Sequence, residues 1–225
     1  FFHNMGTDEK PRFDDGPLLQ AGAPGLIRDI NVGARATPCV VDWNNDGMID
    51  LAVGALDGKI HVYLNCGCSG DARPSFLTSP AGGKCVQFEG SDLVVYGNRS
   101  SPVIVDLDGD GKKDLLSGNT NGQLRFYKNI GTDAEPSFAD GTRVQSNGVN
   151  IEIPSSPRSR PFVCFWTGDG HFGPIDYYFD VLVGAGDGKV HLYRGIPRTG
   201  DIDSNGRVDF ADFALLAAHW RHTNC

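Results

Sequence analysis

Short apolar runs separated by glycine-containing turns make up most of this chain. Three of the runs align with one another: TPCVV from Thr37, SPVIV from Ser101 and RPFVC from Arg160. In the second of them, PVIVDL from Pro102 is apolar at successive positions, as expected of a strand buried on both faces. A second shared block follows each run, namely DLAVGALDGKIHVY, DLLSGNTNGQLRFY or DVLVGAGDGKVHLY. Within these blocks, Asp-Gly or Asn-Gly pairs at 57–58, 121–122 and 187–188 predict tight hairpin turns between strands.

The runs and blocks together form an internal repeat. Its closing tyrosines, Tyr63, Tyr127 and Tyr193, lie 64 and 66 residues apart, a period typical of propeller blades and related arrays. The N-terminal FHNMGTDEKPRFDDG matches YKNIGTDAEPSFADG from Tyr127, so we expect the chain to begin within a repeat. One further strand in the variable stretch before each next unit would give four antiparallel strands per repeat, the content of a propeller blade.

An acidic loop follows the first strand of the first two repeats. Like charges this close raise the energy of the ionised state unless a cation lies among them. Oxygen ligands at alternate positions of a glycine-turned loop can wrap a hard cation such as calcium. The predicted ligands are Asp42, Asn44, Asp46 and Asp50 in the first repeat, and Asp106, Asp108, Asp110 and Asp114 in the second.

The third repeat departs from this pattern. Phe165 and Thr167 replace the first two ligands, and an insertion, HFGPIDYYF, separates the loop from Asp180. We therefore expect no metal in this loop. The insertion predicts an exposed aromatic patch for a partner or a sugar, or else a loop that packs its own aromatics into the core. The patch residues are Phe172, Tyr177 and Tyr178.

A different calcium signature follows a short linker at 196–200. Its loop ligands occupy positions 1, 3, 5, 9 and 12 of an EF-hand loop, with Gly206 at position 6, where the sharp turn is needed. Apolar residues at helical spacing come next, so a short helix is predicted to follow the loop. The predicted ligands are Asp201, Asp203, Asn205, Asp209 and Asp212.

Residues 1–195 resemble the FG-GAP/VCBS repeat family of calcium-binding β-propellers, found in cell-surface and secreted proteins. The motif P-x-x-x-D-x-D-x-D-G-x-x-D-L-x-x-G with a closing Y-x-N-x-G carries the resemblance. Residues 201–225 resemble one half of a type I dockerin. The resemblances imply about three Ca²⁺ sites in an all-β fold with about three propeller-like blades of four antiparallel strands, plus a short C-terminal calcium loop–helix. The expected units are 1–35 (partial), 36–98, 99–157 and 158–195, the linker 196–200 and the segment 201–225.

Composition bears on the partners of the chain and on its cellular compartment. The net charge of −8 argues against a nucleic-acid partner. The chain contains no run of 18 or more apolar residues, so no membrane span is predicted. The chain begins with Phe1 rather than Met and shows no charged segment followed by an apolar one, so we expect either a processed chain or an expressed segment. Six cysteines permit 15 pairings, and three that share one region predict a disulfide staple in an oxidising compartment, with reduced thiols as the alternative. Those three are Cys66, Cys68 and Cys85, and Asn98 begins a glycosylation sequon.

Nothing in the sequence has the pattern of a catalytic site. It lacks a nucleophile elbow, a phosphate loop and a zinc-protease motif, and His61 and His191 occupy equivalent strand positions in two repeats. We expect a secreted, non-enzymatic calcium protein for cell-surface adhesion or extracellular assembly. Since a propeller ring needs four or more blades, either further blades exist or copies complete one another by strand addition, as a ring or fibre. A carbohydrate-binding, lectin-like propeller and a fragment of a polysaccharide-degrading enzyme are the alternatives.

Overall fold

The structure, a computed structural model, describes residues 2–67, 74–76, 83–154, 158–166 and 179–195. These residues form antiparallel sheets joined by turns and contain no helix, which confirms the all-β prediction. Accordingly, this part of the chain has no helix long and apolar enough to cross a membrane. The predicted linker and the C-terminal calcium loop–helix lie outside the described residues.

An N-terminal segment precedes the first full repeat. It contains a loop at 2–16 and a two-stranded sheet of β1 (Gln20–Ala21) and β2 (Arg28–Asp29). In the loop, the Asn4 side-chain oxygen accepts from the backbone N–H groups of Gly6 at 2.9 Å and Arg12 at 3.0 Å. Asn129 does the same toward Gly131 and Ser137. The sequence match between the two segments is therefore also a structural match.

The first repeat folds into a four-stranded antiparallel sheet, here called blade 1. Its strands, in spatial order, are β3 (Thr37–Val41), β4 (Asp50–Gly54), β5 (Ile60–Tyr63) and β6 (Lys84–Cys85). A small hairpin, β7 (Gln87–Phe88) with β8 (Ser91–Asp92), leads to the next repeat.

The second repeat forms blade 2 with the same order of strands. It consists of β9 (Ser101–Val105), β10 (Asp114–Gly118), β11 (Leu124–Tyr127) and β12 (Thr142–Arg143), followed by the hairpin β13 (Gln145–Ser146) and β14 (Val149–Asn150). Blade 3 has three strands in the described part of the chain: β15 (Ser159–Cys164), β16 (Asp180–Ala185) and β17 (Val190–Tyr193). Four strands per repeat are thus confirmed for blades 1 and 2.

The blades stack face to face, and the core lies between them. One apolar cluster joins blade 1 to blade 2, a second joins blade 2 to blade 3, and a third packs residues of the N-terminal segment on the opposite face of blade 1. The first strands of the blades are neighbours, since β9 contacts both β3 and β15. This arrangement brings equivalent positions of successive repeats to the same end of the stack.

Two glycines show how closely the blades approach. A Cβ atom on Gly54 would lie 2.4 Å from the carbonyl oxygen of Ser100, and one on Gly118 would lie 2.0 Å from that of Ser159. Gly184 is the equivalent residue of blade 3, and a Cβ there would meet only the Arg160 oxygen at 4.0 Å. Glycine is therefore required where a following blade packs against the strand end.

Candidate metal centre

The second acidic loop, between β9 and β10, is shaped by its own carboxylates. Asp106 accepts hydrogen bonds from the backbone N–H groups of Gly109 and Gly111, both at 2.8 Å. Asp110 accepts from Lys112 N–H at 3.0 Å. Gly111 has φ of 85°, a left-handed conformation that glycine adopts without steric cost. The loop therefore curls around its acidic side chains as the sequence predicted.

Three of the predicted ligands converge in this loop. One carboxylate oxygen from each of Asp106, Asp108 and Asp114 lies within 4.8 Å of the other two. Asp114 is fully buried, and this burial is the largest cause of its raised pKa. Two backbone hydrogen bonds lower the pKa in part, and the charges of Asp108 and Asp110 raise it further. An all-oxygen set of carboxylates at this spacing suits a hard divalent cation such as Ca²⁺.

A lysine ammonium already lies against these carboxylates. Lys128 contacts Asp108 and also pairs with Asp110, with 3.0 Å between Nζ and Oδ2. Hydrogen bonds to these two aspartates raise the pKa of Lys128. The ammonium acts as a stand-in cation and shows that the loop attracts positive charge. A divalent ion bound there would compete with Lys128 for the oxygens of Asp108 and Asp110.

The first acidic loop repeats the hydrogen-bonding pattern of the second, although three converging carboxylates are found among the described residues only in the second loop. Asp42 accepts from Gly47 N–H at 2.9 Å, as Asp106 does from Gly111. Asn44 stands where the second loop has Asp108, and it donates to Asp46 at 3.0 Å. The position of Lys128 is occupied by Leu64. This loop thus carries one carboxylate fewer, and among the described residues no ammonium pairs with its carboxylates.

The last aspartate of each loop has a role that sequence reasoning missed. Both oxygens of Asp114 accept backbone N–H groups, from Leu107 at 3.1 Å and from Asn129 at 2.8 Å. Asp50 does the same toward Trp43 and Asn65, and Asp180 toward Trp166 and Gly195. Each side chain therefore ties the loop after the first strand to the chain that follows the third strand. The retention of Asp180 beside Phe165 was the available signal, because that loop lacks the other ligands.

Some of the remaining predicted site residues lie in the described part of the chain, and the others lie outside it. Cys66 is disulfide-bonded, as its place among the three candidates predicted. The prediction is wrong for Cys85, which is a free thiol on β6 opposite His61 of β5, with Sγ 3.8 Å from His61 Nδ1. Because Cys39 and Cys164 are also free, the partner of Cys66 is not among the described residues.

Asn98 is exposed, but the hydroxyl of Ser100 in the same sequon is buried and donates to the Lys59 carbonyl at 2.6 Å. The residues outside the described part are Cys68, Phe172, Tyr177, Tyr178, Asp201, Asp203, Asn205, Asp209 and Asp212.

Comparison with known proteins gives one distant likeness. No protein-family model matches the chain. The chain is similar to an integrin alpha chain. The match is to integrin alpha-4 of Xenopus laevis, with 28% identity over 165 residues, 67% of this chain and 14% of the integrin. The chain therefore spans a small part of that relative's length. The likeness supports a propeller-type repeat fold, and the dockerin resemblance of residues 201–225 stays a prediction.

Proposed function

We propose that this chain is a calcium-binding repeat module of an extracellular adhesion or assembly protein, without enzymatic activity. The observation that carries the proposal is the pair of acidic loops, which occupy the same place in two blades and share one hydrogen-bonding pattern. The likeness to an integrin alpha chain supports the extracellular setting.

Calcium would have a structural role in these loops. Asp106, Asp108, Asp110 and Asp114 would hold it in blade 2, and Asp42, Asn44, Asp46 and Asp50 in blade 1. When bound, the ion supplies the positive charge that offsets the repulsion among these carboxylates. Since a ligand that binds only the folded state stabilises it by mass action, each site would contribute about 2.7 kcal/mol at a calcium concentration one hundredfold above Kd.

One end of the stack exposes a face that is buried in the other blades. Val190 of β17 is 72% exposed, while its counterparts Ile60 and Leu124 are both fully buried against the next blade. Phe162 and Leu192 on the same face are also exposed, and both are in register with Leu182 of the central strand. An exposed row of large apolar residues of this kind is typical of an interaction surface.

The other end of the stack carries complementary exposed positions. Phe13 is 61% exposed, whereas Phe138 in the equivalent loop is 2% exposed. Val40 of β3 is 68% exposed, and its counterpart Ile104 in β9 is 8% exposed because blade 1 packs on it. Each end of the stack therefore exposes apolar residues that are buried against a neighbouring blade elsewhere in the stack. We propose that a second copy covers them, with the N-terminal segment of one copy completing blade 3 of another.

Particle size tests the assembly proposal. Light scattering with negative-stain imaging of the whole chain should show rings or fibres in millimolar calcium and smaller particles after chelation. Phe162→Ser with Leu192→Ser should give monomers in calcium because the substitutions remove the apolar row. Val149→Ser, on an exposed apolar residue of β14, is the matched control and should leave assembly unchanged.

Self-association and its dependence on calcium can fail separately. Monomers of the unaltered chain in calcium would overturn self-association. Assemblies that persist unchanged after chelation would overturn the dependence of assembly on calcium.

A further inference from the structure

Arginine recurs at one position in every repeat of this acidic protein. It stands three residues before the proline of the first strand, in RATP, RSSP and RSRP. The third copy carries one more arginine directly before the proline. The four residues are Arg35, Arg99, Arg158 and Arg160. Their recurrence places a guanidinium group at the start of the first strand of every blade.

The stacking of the blades gathers these positions at one end. The Thr37 hydroxyl donates to the Ser100 carbonyl at 2.7 Å, so the starts of β3 and β9 touch. Leu56 bridges the same two segments, because its N–H donates to Ala34 and its carbonyl accepts from Arg99 N–H at 3.0 Å. Since β15 also contacts β9, the arginines of blade 3 reach the same region.

Arg99 lies in the centre of this group and is nearly enclosed. Its side chain belongs to the buried set, with the residue 7% exposed, while the other three arginines are exposed. Burial lowers the pKa of Arg99, and the charges of Arg35, Arg158 and Arg160 lower it further. Throughout the described part of the chain, none of the four guanidinium groups forms an ion pair or a side-chain hydrogen bond.

Such an arrangement is unfavourable unless a ligand completes it. A buried charge is ordinarily paired, and this chain has 28 acidic residues that could have supplied a partner. Arg35 and Arg99 also hold left-handed backbone conformations, with φ of 59° and 55°, which are uncommon for arginine. Left-handed backbone conformations of this kind cluster at functional sites.

We propose that the arginines at the starts of β3, β9 and β15 form a binding site for a compact oxyanion, such as a carboxylate or sulfate group. The guanidinium fork matches the geometry of these groups and can bind them through two parallel hydrogen bonds. With one of the four side chains nearly enclosed and the other three exposed, the group suits a single anionic group better than a flat polyanion. The site is separate from the acidic loops, which lie at the opposite ends of the same strands.

Titration calorimetry of the whole chain tests the site, with sodium sulfate and sodium succinate as probes against sodium chloride at matched ionic strength. We expect saturable binding of at least one probe, and the two arms distinguish a tetrahedral from a carboxylate ligand. Arg99→Asn should weaken binding at least about tenfold, because each charge-assisted hydrogen bond contributes strongly. Asparagine is the chosen replacement because it tolerates the left-handed backbone.

Two further variants keep the test decisive. Arg28→Asn removes the same charge from exposed β2 and should bind the probe as the unaltered chain does. Arg35→Asn should weaken binding while retaining the fold, should the Arg99 variant fail to fold. The absence of saturable binding by both probes would overturn the proposal, as would equal affinities of the Arg35 and Arg28 variants.

Discussion

The substitution Gly118→Ala tests whether the blades pack as closely as the structure shows. The added Cβ atom would lie 2.0 Å from the Ser159 carbonyl oxygen and 2.6 Å from its carbon, against 3.4–4 Å for an ordinary contact. Both sides of the contact are backbone, so the clash can be relieved only if blade 2 and blade 3 move apart by more than an ångström.

The expected cost follows from overpacking. Inserting a methyl group into a tightly packed site typically costs about 1–3 kcal/mol, and a backbone clash belongs at the upper end of that range. The shift would also disturb the Ser159 hydroxyl, which donates to the Gln123 carbonyl at 2.6 Å and accepts from Asn119 N–H at 3.0 Å. For a chain of this length, a loss of about 3 kcal/mol lowers Tm by roughly 6–12 °C.

Gly184→Ala is the matched control. It introduces the same methyl group at the same repeat position, where only the Arg160 oxygen lies within reach, at 4.0 Å. Urea denaturation followed by circular dichroism in millimolar calcium should show a lower midpoint for Gly118→Ala and little change for Gly184→Ala. Equal midpoints for the two variants would refute the packing of blade 3 on blade 2.

Three further predictions concern the loops and the thiols. Lys128→Leu, which copies Leu64 of blade 1, should raise the calcium affinity of the second loop in calorimetry, because no ammonium then competes; unchanged or weaker binding would count against that competition. Asp114→Asn and Asp180→Asn should both lower the urea midpoint in chelator, but only Asp114→Asn should also reduce calcium binding. Burial, together with the charge of Asp92, raises the pKa of Cys85, so its alkylation by iodoacetamide should be slow at neutral pH and accelerate only above the ordinary thiol range. Mass spectrometry of the labelled peptides checks this, and rapid labelling at neutral pH would contradict it.

Local signals in the sequence predicted much of the fold. The Asp-Gly and Asn-Gly turns fix the hairpins between β4 and β5, β10 and β11, and β16 and β17, because the turn geometry is set by two residues. The apolar runs predicted the first strands β3, β9 and β15, because consecutive apolar residues are a local signal for a strand. The short strands β6 and β12 were predicted only as a further strand in a variable stretch, since their two-residue pairings depend on neighbouring strands rather than on their own pattern.

The candidate site was predictable only in part. Spacing identified the converging ligands Asp106, Asp108 and Asp114, because a loop of this kind is formed by consecutive residues. Ligand spacing alone did not indicate the two backbone hydrogen bonds of Asp180, for which the retention of this aspartate in a loop without the other ligands was the only signal. It also could not reveal the approach of Lys128 to Asp108, since these two residues are distant in sequence. The same limit applies to Arg99, whose arginine neighbours come from other blades and meet only when the blades stack.

Calcium binding by the acidic loops is the central claim, and calorimetric titration of the calcium-free chain tests it most directly. The unaltered chain should bind about three ions, two of them in the loops of blades 1 and 2. The double variant Asp42→Asn with Asp106→Asn should lose those two and keep binding assigned to the predicted loop at 201–212. Asp14→Asn with Asp15→Asn, on exposed or half-buried acids outside the loops, is the matched control and should bind as the unaltered chain does. Identical titrations for the two double variants, or no binding by the unaltered chain, would contradict the account.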